Sequence, residues 1–273
     1  MRRLIRTRGP EGTIRREVFL PTGWVKESWI GTNDTGATSA DPTGGGAQGN
    51  NMVKVEALEY DGNSAGGDGN RTKRTAWENA GTTRVTEFGY DWRNRQTSVK
   101  GEAAFYEEYA YDNLDRRTRV DRKDTHGAGT LLAREDTQYD PLGRVFQRLR
   151  YSVSGGSPGN SLKEKLWYDP AGNVIKRQPE GTRQFEKFQF DAVGRETKRF
   201  RCYNLSEADT NYAAASSVAN NTVQEQVEQG YDAAGNVIQV TRRERFHNAT
   251  SATGELTTPG GAQPKARVYY TAI

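Results

Sequence analysis

A ten-residue pattern recurs along this chain, and it restricts the fold more than any other feature. "YDPAGNVIKR" at 168–177 returns as "YDPLGRVFQR" at 139, "FDAVGRETKR" at 190 and "YDAAGNVIQV" at 231. Looser copies are "YDNLDRRTRV" at 111 and "YDWRNRQTSV" at 90. The aromatic-Asp pairs are Tyr60-Asp61, Tyr90-Asp91, Tyr111-Asp112, Tyr139-Asp140, Tyr168-Asp169, Phe190-Asp191 and Tyr231-Asp232. They are spaced by 30, 21, 28, 29, 22 and 41 residues, so the bare unit is close to the two shortest intervals.

Four residues after the aromatic stand Asn94, Asp115, Gly143, Gly172, Gly194 and Gly235. These are the residue types that best tolerate a left-handed backbone. Asp, two further residues and then such a residue spell a type I turn closed in αL, the three-residue hairpin loop with a G1 bulge. Pro141 and Pro170 sit where a φ near −65° is wanted, and the Asp side chain can accept the N–H groups of its own turn. The turn chemistry therefore accounts for the pattern without a ligand.

The flanks read as strands. Leu58, Phe88, Tyr109, Leu166 and Phe188 stand two residues before the aromatic, and Glu56, Glu107, Glu135, Glu164 and Glu186 stand four before it. That alternation belongs to a half-buried strand. Return strands such as Val174-Ile175-Lys176-Arg177 offer Lys and Arg as cross-strand partners for Glu. "FLPTGWVKESW" from Phe19 is a first unit lacking only the Asp, and the turn at Tyr60 is lengthened. Units are expected to begin near 14, 54, 84, 105, 134, 163, 185 and 226, as one array over 1–273. The tail "KARVYYTAI" resembles one more incoming strand, and the chain is expected to be part of a longer array. Loops rich in Gly, Ser, Thr and Asn separate the units, and only "EADTNYAAASSVANN" suits a short helix.

Composition agrees with an open sheet rather than a dense core. Hydrophobic residues make up 33% and mean hydropathy is −0.92, yet aromatics at 10% and a net charge of +4 argue against disorder. Basic and acidic residues are interleaved, so no nucleic-acid partner is expected. No stretch approaches a membrane helix, and the N-terminus has no apolar signal region. Cys202 is the lone cysteine, which rules out an intrachain disulfide.

Candidate chemistry is sparse. One Asp per turn, each in the same local role, reads as a turn cap and not as an acid-base pair. "DGNSAGGDGN" at 61–70 is reminiscent of a calcium loop but has Ala65 at the fifth position and Thr72 where a bidentate Glu belongs. His126 and His247 lie in separate polar loops, read as surface residues without partners. Asn33, Asn204, Asn220 and Asn248 begin glycosylation sequons. No catalytic, cofactor-binding or metal-ligating residue is assigned, and the chain is expected not to be an enzyme.

The aromatic-Asp units resemble the YD repeats of bacterial RHS proteins, which are related to the B and C components of insecticidal toxin complexes and to the teneurins. The resemblance spans most of the chain. It implies an all-β fold of tandem hairpins, joined edge to edge into a curved, spiralling antiparallel strip that is a segment of a hollow shell. It further implies that the partners are the rest of that shell and an enclosed C-terminal effector, in a secreted or surface-located longer protein. Complete RHS proteins end the shell in a core segment with an aspartic autoprotease; these residues carry no such segment, so any autoproteolytic activity is expected to lie outside them or to be absent. The competing expectation is an extracellular carbohydrate- or protein-binding adhesion module that uses Trp24, Trp29, Trp77, Trp92 and Trp167.

Overall fold

The computed structural model describes residues 5–62, 67–79, 81–102, 105–204, 212–249, 253–256 and 266–272. The chain divides into two compact units. Unit 1 comprises Met1–Arg134 with Ser152–Gly159, and unit 2 comprises Glu135–Tyr151 with Asn160–Ile273.

In unit 1 the strands are β1 (Arg6–Arg8), β2 (Ile14–Phe19), β3 (Val25–Gly31), β4 (Val53–Tyr60), β5 (Arg71–Asn79), β6 (Thr82–Tyr90), β7 (Gln96–Lys100), β8 (Tyr106–Tyr111) and β9 (Arg117–Lys123). Each pairs antiparallel with its neighbour in the chain. The division runs through β10 (Leu131–Tyr139), β11 (Val145–Ser154) and β12 (Ser157–Tyr168). Unit 2 continues with β13 (Val174–Gln178), β14 (Gln184–Phe190), β15 (Glu196–Tyr203), β16 (Thr222–Tyr231), β17 (Val237–Arg245) and β18 (Ala266–Ala272), again antiparallel neighbour to neighbour. The fold is all-β; α1 (Tyr212–Ser216), inside the segment that suited a helix, is the one helix among the described residues.

Each aromatic ends the incoming strand of its hairpin, and there the register slips. Tyr168 lies opposite Val174, but Trp167 lies opposite Lys176, so Ile175 is an extra residue on the return strand. The same slip occurs at Phe19, Tyr60, Tyr90, Tyr111, Tyr139, Phe190 and Tyr231. Such a bulge increases local twist and re-aims the side chains beyond it.

The strand faces carry the charged residues in pairs. Glu164 accepts from Arg148 at 2.8 Å and lies 3.0 Å from Arg177. Glu56 meets Arg74 at 2.5 Å, and Lys100 meets Glu87 at 2.7 Å. Glu107 instead accepts the hydroxyl of Tyr109 at 2.7 Å.

Composition points to an open sheet rather than a dense core. Unit 2 departs from this. Phe185, Phe200, Cys202, Val218, Val223 and Leu256 form a small closed core. Val218, between α1 and β16, and Leu256, between β17 and β18, supply the part of this core that lies outside the strands, and α1 packs against β13 and β14. The buried Lys187 side chain donates to the carbonyls of Ala214 and of Ser217, the latter at 2.7 Å.

Candidate functional site: the row of Asp turns

The six turns at Asp91, Asp112, Asp140, Asp169, Asp191 and Asp232 are built alike. The Asp N–H donates to the carbonyl four residues on, and the Asp carbonyl accepts the N–H of the residue three on, at distances from 2.8 to 3.2 Å. That third residue has φ of 63° at Asn94, 62° at Asp115, 83° at Gly143, 95° at Gly172, 82° at Gly194 and 90° at Gly235.

The carboxylate closes the turn from inside. Asp91 Oδ1 accepts the N–H groups of Arg93 (2.9 Å) and Arg95 (3.0 Å), while Oδ2 accepts Arg95 Nε at 2.8 Å. Asp112 does the same with Leu114 and Arg116, Asp140 with Leu142 and Arg144, and Asp191 with Val193 and Arg195. In two units an Asn replaces the Arg: Asn173 Nδ2 donates to Asp169 at 2.9 Å, and Asn236 Nδ2 to Asp232 at 3.0 Å. The lengthened turn reaches the same end by a detour, with Asn70 Nδ2 donating to Asp61 Oδ2 at 2.8 Å. There Gly69 is needed twice, for a φ of 86° and because a Cβ would come within 2.7 Å of the Trp24 ring.

Electrostatics follow from these bonds. The side-chain hydrogen bond from Arg95 holds Asp91 below the usual carboxylate range, and the Asn236 amide does so for Asp232. For Asp191 the main cause is the backbone N–H of Arg195. At Asp112, Asp140 and Asp169 burial pushes upward, but the combined hydrogen bonds outweigh it and the carboxyl stays low. An ionised carboxylate filled by its own turn has a structural task in its surroundings.

The residue after the αL position was not singled out from the sequence, although the quoted decamers show Arg or Asn there every time. At Arg95, Arg144 and Arg195 it is the residue that links one hairpin to the next. Arg95 lies 4.8 Å from the ring centroid of Tyr111, Arg144 4.5 Å from that of Tyr168, and Arg195 4.6 Å from that of Tyr231. Arg95 and Arg144 also donate to the carbonyls of Asp112 (2.9 Å) and Asp169 (3.2 Å). In the first unit Trp24 occupies this position and packs on Tyr60 with centroids 5.0 Å apart.

A second link is the tyrosine hydroxyl, which donates back to the first carbonyl of the preceding return strand. Tyr60 reaches Val25 (2.9 Å), Tyr90 reaches Arg71 (3.1 Å), Tyr111 reaches Gln96 (2.7 Å), Tyr168 reaches Val145 (2.7 Å) and Tyr231 reaches Glu196 (2.7 Å). Tyr139 and Phe190 hold the same register position, opposite Val145 and Glu196. Within each unit these tyrosines are thus tied to the preceding hairpin by a hydroxyl-to-carbonyl bond, and Tyr111, Tyr168 and Tyr231 also by a guanidinium group.

The remaining candidates do not converge. Asn63 and Ala65 of the calcium-like loop lie outside the described residues, as does Thr250 of the last sequon. Among the described residues no three His, Cys, Asp or Glu side chains are placed to hold a metal ion. His126, read as lacking a partner, packs edge-on against Tyr106 with ring centroids 4.9 Å apart; His247 is exposed. Of the five tryptophans Trp92 is 83% exposed, while the other four are half-buried. No described helix is long and apolar enough to cross a membrane.

No family model and no curated protein matches the chain. Among solved structures it is similar to the TcdB2-TccC3-Cdc42 complex, with 13% identity and a TM-score of 0.37 over 98% of this chain and 15% of that one. The Photorhabdus luminescens Tc holotoxin pore gives 13% identity and a TM-score of 0.36, again over 98% and 15%. A porin-like protein from Bacteroides uniformis is covered over 99% of its length at 10% identity, with a TM-score of 0.29. The chain therefore spans about 15% of the length of the two toxin chains.

Proposed function

We propose that this chain is a non-catalytic structural segment of an RHS-type YD-repeat shell that encloses or presents a toxin or effector polypeptide, secreted or surface-located as part of a longer protein. The observation that carries the reading is the turn row itself. The repeated Asp, Arg and Tyr side chains are spent on holding a hairpin closed and tying it to its neighbour, which is what a wall built of repeats needs. The pairs Arg95–Tyr111, Arg144–Tyr168 and Arg195–Tyr231 all act in this way.

Limited proteolysis of the complete protein tests the enclosure. The polypeptide that follows the repeats should resist protease until the repeats are denatured; cleavage as fast as that of the free polypeptide would overturn the reading. The non-catalytic assignment is tested on the chain alone. Hydrolytic turnover abolished by Asp140→Asn would refute it. The exposed Trp92 favours the adhesion alternative, for which a glycan array should show binding lost in Trp92→Ala.

A further inference from the structure

The links between successive hairpins are not evenly distributed. Within the units, the junctions leading into Tyr60, Tyr111, Tyr168 and Tyr231 have both a covered ring and a hydroxyl bond. The junction into Tyr90 keeps the hydroxyl bond. The junction into Phe190 has neither. Phe190 carries no hydroxyl to reach Val174, and Asn173, too short to cover its ring, is used up on Asp169.

The pairing at this junction is also poor. The register between β13 and β14 consists of Lys176 opposite Lys187 and Arg177 opposite Glu186. Two like charges face each other across the ladder, a destabilising arrangement. Both lysines are only 2% exposed. Their neighbours relieve the repulsion in part: Lys176 Nζ lies 4.3 Å from the Trp167 ring centroid and 4.4 Å from that of Phe185. Lys187 Nζ lies 5.2 Å from the same Phe185 centroid and donates to the carbonyls of Ala214 and Ser217 at the end of α1. The helix lies against both β13 and β14, so it straddles the junction that lacks the repeat's own links.

We propose that the β13–β14 junction is a releasable seam within unit 2, and that the α1 segment, tied down by Lys187, is the latch that keeps it shut. Opening the seam parts the β12–β13 hairpin from β14–β15 and uncovers Phe185 and the apolar residues beneath α1. Whatever lifts α1 loosens this junction before those into Tyr168 and Tyr231, which carry Arg–aromatic and hydroxyl links of their own.

Amide hydrogen exchange on the full chain tests the proposal. Lys187→Met should speed exchange of the amides that pair across β13 and β14 about tenfold, with β14–β15 and β16–β17 unchanged. Installing the missing links with Asn173→Arg and Phe190→Tyr should bring Lys187→Met back to the wild-type rate. The same pair in the wild-type background should slow exchange at the seam about tenfold, as one cation–π contact and one hydrogen bond would. This last comparison decides the matter if Lys187→Met does not fold. Equal exchange at the seam in wild type and in the Asn173→Arg/Phe190→Tyr variant would overturn the proposal. So would a Lys187→Met effect spread uniformly over unit 2.

Discussion

In each turn the Asp carboxylate, the αL residue and the side chain that follows it close one set of bonds, and each member is replaceable only by its chemical equivalent. Gly172, at φ 95°, has no atom within 4 Å of where a Cβ would stand, so a larger side chain there meets only backbone strain. Gly172→Val should therefore cost about 1–2 kcal/mol and Gly172→Asn distinctly less, read from urea denaturation midpoints. Equal losses for Val and Asn would mean that packing, not conformation, sets the cost. The αL residues were legible in the sequence because φ is a local property. The Arg or Asn that follows was visible too, but its purpose was not: the ring it covers belongs to the next hairpin, 16 residues on from Arg95 and 36 on from Arg195.

A hairpin of this kind presents one polar edge to its successor, and the strength of that junction is a property of two elements together. Tyr168→Phe removes the bond to the Val145 carbonyl and Arg144→Ala removes the guanidinium over the ring. Each should cost about 1 kcal/mol. The two losses should be non-additive in a double-mutant cycle, since both groups sit on one ring. Strict additivity would show that the links act independently. Strand order and direction followed from the turns, because a three-residue loop permits only antiparallel neighbours. The register slip beside every aromatic did not, since it arises from how the bulge relaxes against the paired strand.

At the scale of the whole molecule, apolar burial is limited and many ionised groups are held in the fold. Asp34 is drawn down to about 2, first by the hydrogen bond from Arg6 and also by Arg16, which ties the 31–51 loop to β1 and β2. Its folded value lies below the unfolded value of about 3.9, so its contribution is complete above that pH and lost as the pH falls toward 2. The turn aspartates are shifted in the same direction and act in the same acid range. Tyr109 runs the opposite way: burial, assisted by Glu107, raises it to about 12, so its contribution fades above about pH 10. Melting temperatures should form a plateau between about pH 5 and 9 and fall on both sides. A Tm that stays level down to pH 2 would contradict the carboxylate assignments. Phe200, fully buried in the unit 2 core, should cost about 3–5 kcal/mol on replacement by Ala. Hydrogen exchange should show the loss in β14–β16 and leave β4–β8 as they were.

Local chemistry made the hairpins, their turns and their antiparallel order readable from the sequence alone, because Asp, an αL residue and alternating strands act within a dozen neighbouring residues. The core under α1 was decided only by tertiary structure. Its Phe185, Phe200, Val218, Val223 and Leu256 come from segments with no common period. The buried Lys176 and Lys187 looked like ordinary charged strand residues until the fold placed rings around one and helix-end carbonyls beside the other. Burial of a charge is a property of what the rest of the chain brings to it, and no decamer contains that information.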